Sequence, residues 1–114
     1  MDNLYEIYIE QAKLMHQNPK YWKGHMIKKY MPQIEEIIKE HKIDTILDYG
    51  CGKAQHHPED WNAYKYDPAY PKYDKKPEAG RKFDLVICID VLEHIPQADL
   101  PRIIKEIFDY SGKY

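Results

Sequence analysis

Along residues 2–17 the apolar positions recur at helical spacing, with Leu4, Ile7, Tyr8, Leu14 and Met15 falling on one side. Asp2 suits the N-cap, and Asn18-Pro19 stops the helix. A second helical stretch follows over 19–30. Pro32, a good first-turn residue, then opens a further helix that carries Ile34, Ile37, Ile38 and His41 on one face. Glu35 and Glu36 near its start and Lys39 and Lys42 near its end complement the helix dipole.

The period changes at Ile43. Residues 43–49 are short, β-branched and closed by Gly50, and they read as a strand. Residues 63–67 form a second strand, stopped by Pro68. The near-continuous apolar run over 83–90 predicts a central parallel strand buried on both faces. Between them, 68–80 is rich in Pro, Lys and Tyr and reads as loop with at most one short edge strand. A closing helix over 99–110 presents Leu100, Ile103, Ile104, Ile107 and Phe108 on one face, with Gly112 as its left-handed stop. The order predicts an α/β domain with a short parallel sheet of three to four strands flanked by helices. Residues 1–42 supply N-terminal helices and 43–114 the core of one domain. The connection from the first strand to the second leaves room for a short helix at most.

Composition narrows the function classes. With 43% hydrophobic and 32% charged residues the chain is globular rather than disordered. A net charge of −2 argues against a general nucleic-acid-binding surface. No apolar run reaches membrane-spanning length, and the N-terminus lacks secretory-signal features. With two cysteines, Cys51 and Cys88, the simplest expectation is a cytoplasmic protein with free thiols.

The chemistry concentrates in the turn after the first strand, Asp48-Tyr49-Gly50-Cys51-Gly52-Lys53-Ala54. Two glycines one residue apart permit positive φ and let a ligand lie against the backbone. A dinucleotide fingerprint would need a third glycine where Gln55 stands. A phosphate-binding P-loop would need a glycine at Leu47 and a hydroxyl at Ala54. Neither phosphate reading holds.

Asp48-Tyr49-Gly50-Cys51-Gly52, then Tyr66-Asp67, then Phe83-Asp84-Leu85-Val86 through Val91-Leu92-Glu93-His94-Ile95-Pro96 resembles the class I S-adenosylmethionine-dependent methyltransferases of the small-molecule type. The resemblance implies a Rossmann-like three-layer sandwich, here truncated, since the last three strands of a seven-stranded sheet have no counterpart. It implies a carboxylate at the methionine end of the ligand (Asp48) and backbone passing close to methionine and ribose at Gly50, Cys51 and Gly52. An acid on the ribose hydroxyls (Asp67, followed by Pro68) and a wall beside the sulfonium from Cys88, Ile89 and Asp90 complete the set. Asp74 is a weak candidate for adenine. Ala54 stands where a further glycine is frequent, and the first crossover helix is nearly absent, so the turn around Gln55, His56 and His57 is expected to be shaped unusually.

Simpler readings stand beside these. Asp67 could be the first residue of an Asp-Pro turn. Glu93 and His94 could begin or cap a helix; a weak methyl acceptor would need a base, for which Asp90 or His94 can be proposed. Cys51, His56, His57, Cys88 and His94 lack metal-ligand spacing, and no metal is expected. Tyr5, Tyr8, Tyr21, Trp22 and Tyr30 read first as packing and second as a lid over a sulfonium cation. The truncation leaves 83–90 at a bare sheet edge, which predicts homodimerisation through this edge or the adjoining helix, or a longer gene product. The functional expectation is methyl transfer from S-adenosylmethionine to a small-molecule acceptor; the alternative is a binding module or remnant that holds the donor without transferring its methyl group.

Overall fold

A computed structural model describes residues 4–17, 26–89 and 91–114. Three parallel strands, β1 (Thr45–Tyr49), β2 (Asn62–Tyr66) and β3 (Leu85–Ile87), lie in the order β2-β1-β3. Asp48 of β1 stands opposite Lys65 of β2 and Ile87 of β3. Alternation along β1 sends Ile46 to one face and Leu47 and Tyr49 to the other. Helix α2 (Met26–His41) covers the first face, where Ile27 and Ile34 pack with Ile46, Leu85 and Ile87. Helices α1 (Leu4–Gln17) and α3 (Leu100–Tyr110) cover the second, where Leu47, Tyr49, Tyr66, Phe83, Ile103 and Tyr110 form the larger core. The result is the expected three-layer α/β arrangement of a small Rossmann-like fold, with three strands.

Several details differ from the sequence reading, each for a physical reason. Pro32 does not begin a helix; it lies inside α2. Proline removes one helical N–H and so frees the carbonyl of Lys28. Both residues are exposed, so water can take the lost partner's place. The buried side of α1 is Tyr5, Tyr8, Ala12 and His16 rather than the aliphatic stripe: Leu4 and Leu14 are 64% and 65% exposed. Two overlapping apolar stripes were available, and the one carrying two tyrosines packs against the core and the cavity described below. Residues 2, 18, 19, 21 and 22, to which a cap, a stop and two aromatic positions were assigned, lie outside the described residues, as does Asp90.

Helix α2 ends in a left-handed Lys42 (φ 53°), with the Ile43 N–H donating to the Ile38 carbonyl at 3.0 Å, a Schellman-type close made without glycine. The third strand is shorter than its apolar run because β1 leaves the ladder at Gly50: the Gly50 and Cys51 N–H groups turn to the Tyr66 carbonyl at 2.7 and 3.1 Å. Residues 68–80 contain a 3₁₀ turn, Pro71–Tyr73, and no strand.

The outer edge of β3 is not bare. The Gly112 N–H donates to the Phe83 carbonyl at 2.7 Å, Tyr114 N–H to Asp84 at 3.1 Å, and Val86 N–H to Tyr114 at 3.0 Å. The C-terminal residues thus lie parallel to the start of β3, which narrows the surface left for a second copy. Gly112 serves this approach, where a Cβ would stand 3.1 Å from the Phe83 oxygen, and its φ is not positive, so it is not a left-handed stop.

Candidate ligand site

The carboxyl ends of β1 and β2 open onto a cavity of about 400 Å³. Its floor is the glycine turn. Gly50 (φ 87°) and Gly52 (φ 57°) both adopt the left-handed region that disfavours any side chain. Gly50 is also needed for packing: a Cβ there would fall 2.3 Å from Cγ2 of Val91. Ala54 adopts φ 50° as well, so the residue standing in for a frequent glycine carries the strain that glycine would relieve.

Asp67 anchors the turn from the end of β2. Its Oδ2 accepts the Gly52 N–H and its Oδ1 the Ala69 N–H, each at 2.8 Å. The Tyr70 N–H reaches the Asp67 carbonyl at 3.2 Å, so the Asp-Pro turn of the simpler reading is present in full. The same carboxylate also lines the cavity. Burial pushes its carboxyl upward, opposed by the Ala69 and Gly52 N–H groups and by His16. His16 reaches down from α1 with Nε2 3.8 Å from Asp67 Oδ2, its ring stacked on Tyr70. Burial lowers the His16 imidazole, with the Asp67 charge acting the other way.

Asp48 stands across the cavity floor, 5% exposed. Its Oδ2 lies 2.5 Å from Nε2 of His57, a residue of the connection between β1 and β2. That connection contains no helix, which confirms the unusual turn expected there. His57 is held by Trp61, whose ring lies 5.4 Å away and whose Nε1–H donates to Glu35 of α2 at 3.2 Å.

The remaining walls come from Tyr5 and Tyr8 of α1, Ile27 of α2, Pro68, Ala69, Ile89, Val91 and Ile95, with Glu93 and His94 also lining the cavity. The Tyr8 phenol is pushed up to about 12 by burial and by the Asp67 charge, so it stays neutral. Cys51 lines the cavity with its thiol pushed far up by burial; Cys88 packs against the core, its thiol pushed up to about 12 for the same reason. Both are inert at neutral pH. Glu93 and His94 sit in or beside a 3₁₀ turn, Leu92–His94, their side chains 57% and 51% exposed. Among the described residues no Lys or Arg lines this cavity. Nor does any group of three or more His, Cys, Asp or Glu side chains converge on a metal position among them.

Of the residues singled out in the sequence, the cavity gathers Asp48, Gly50, Cys51, Gly52, Asp67, Pro68 and Ile89. Asp74 does not join them; it lies in a separate cleft with Lys72 and Tyr73. The sequence reading missed His57 as a partner of Asp48 and His16 as a partner of Asp67. The spacing Tyr5, Tyr8, Ala12, His16 was the available signal for the second. For the first there was only a histidine pair in a connection with room for a short helix at most.

Fold and site together define a Rossmann-like α/β domain with a cavity beyond the strand ends over a glycine turn. The profile of the methyltransferase domain family matches residues 21–113, and the chain belongs to that family. No curated protein and no solved structure matches it. Among the described residues no helix is long and apolar enough to cross a membrane.

Proposed function

We propose that this cavity binds S-adenosylmethionine and serves the transfer of its methyl group to a small-molecule acceptor. The observation that carries the reading is the charge of the lining: carboxylates at Asp48, Asp67 and Glu93, a glycine turn, and no Lys or Arg among the described residues. Among the described residues a phosphate-bearing nucleotide would find no Lys or Arg in the lining, whereas a ligand with a sulfonium and an ammonium group finds two buried carboxylates. The volume of about 400 Å³ lies within the usual range of ligand pockets.

The residues fit the parts of that ligand. Each carboxylate oxygen can accept about two hydrogen bonds. Each Asp67 oxygen takes one backbone N–H, which leaves capacity for the two ribose hydroxyls. Asp48 retains Oδ1 for the ammonium group, and the Tyr5 and Tyr8 rings supply faces suited to a sulfonium. The bound donor supplies an already activated methyl carbon, so the chain's own task is to hold it in line with the acceptor and to exclude water. Calorimetric titration separates this reading from a general nucleotide pocket. S-Adenosylmethionine and S-adenosylhomocysteine are expected to saturate one site and ATP to give no heat; ATP binding as tightly as either would overturn the proposal.

A further inference from the structure

We infer that His57 is a positioning residue for Asp48: its ring engages one carboxylate oxygen and leaves the other to the ligand's ammonium group. The inference rests on the donor-binding reading above.

The geometry is that of a built pair rather than a chance contact. His57 Nε2 and Asp48 Oδ2 are 2.5 Å apart, with side chains only 5% and 7% exposed. The ring is braced by Trp61, itself tied to Glu35. Nδ1 of His57 is buried and has no hydrogen-bond partner among the described residues. An ionised carboxylate only accepts hydrogen bonds, and a neutral imidazole carries one N–H. The proton therefore sits on Nε2 and is donated to Asp48. In that state the pair carries one negative charge toward the cavity, which suits an ammonium ligand.

The test is calorimetric titration of S-adenosylhomocysteine into wild type, His57→Gln and His57→Leu at pH 8. Glutamine places an amide N–H near the position of Nε2. His57→Leu is expected to bind at least about tenfold more weakly than wild type. His57→Gln should recover most of that loss. His57→Leu binding like wild type, or His57→Gln binding as weakly as His57→Leu, overturns the inference while leaving the donor-binding reading intact. Absence of wild-type binding rejects that reading and the inference with it. If His57→Leu does not fold, two-bond ¹H–¹⁵N spectra of the unmodified protein decide: the Nε2–H tautomer at pH 8 is expected, and the Nδ1–H tautomer overturns the assignment.

Discussion

Replacing Gly50 with alanine tests the reasoning about the turn at its tightest point. Two independent costs apply. At φ 87° an L-residue pays the left-handed penalty, about 1–2 kcal/mol. The new Cβ would also lie 2.3 Å from Val91 Cγ2, far inside the ordinary carbon–carbon contact distance of about 3.5–4.0 Å. Overpacking of this kind typically costs about 1–3 kcal/mol. Together Gly50→Ala is expected to lose roughly 2–5 kcal/mol, a large share of the ~5–15 kcal/mol that holds a domain together. Urea unfolding followed by circular dichroism measures it, read as a lower midpoint at unchanged slope. Val91→Ala in the same background should return the steric part and leave the backbone part, because the two costs have different origins. A Gly50→Ala loss below about 0.5 kcal/mol would refute the reasoning, being the size of an ordinary surface change. No coupling between positions 50 and 91 would show that Val91 is not what the glycine accommodates.

Further expectations follow from the same geometry. Asp84 clamps the start of β1, accepting the Asp44 and Thr45 N–H groups at 2.9 and 3.4 Å, and those bonds lower its carboxyl below the ordinary value. Its contribution is therefore complete above about pH 4 and is lost as pH falls through the lower folded-state value. Asp84→Asn should be less stable than wild type at pH 7, the gap closing on acidification; a gap constant from pH 7 to pH 2 would contradict this. With its thiol near 12, Cys88 in the native protein should react with iodoacetamide at pH 8 on the order of a thousandfold more slowly than a free cysteine, as judged by mass spectrometry, and rapidly once unfolded. Ala54→Gly and Lys42→Gly each relieve a left-handed non-glycine residue and should each raise stability by about 0.5–1 kcal/mol, measured by urea unfolding; a loss at either position would contradict the strain assigned to it.

The architecture was legible because its signals are local. The β-branched run before Gly50 and the apolar run around Leu85 specify parallel strands whatever surrounds them. Spacing in the Asp48–Gly52 turn excluded phosphate-binding loops, and the resemblance to methyltransferase motifs joined Asp67 to it. What stayed hidden depends on contacts distant in sequence. Which of two apolar stripes α1 buries is decided by the surface it meets, so Tyr5, Ala12 and His16 could not be preferred over Leu4, Ile7 and Leu14 beforehand, while Tyr8 belongs to both. The continuity of α2 through Pro32 turns on solvent reaching the Lys28 carbonyl, which no propensity records. The pairing of residues 111–114 with the start of β3 requires Gly112 to pass a backbone oxygen closely, and composition alone assigned that glycine to a helix stop. The His57–Asp48 contact needs the loop itself.

The most direct test of the donor-binding account is titration of S-adenosylhomocysteine into ¹⁵N-labelled protein. Saturable shift changes at Gly50, Cys51, Gly52, Asp67 and Ala69 are expected, reaching completion with one ligand bound per chain. Unchanged resonances in that turn at millimolar ligand, or changes confined to the cleft of Lys72, Tyr73 and Asp74, would contradict it.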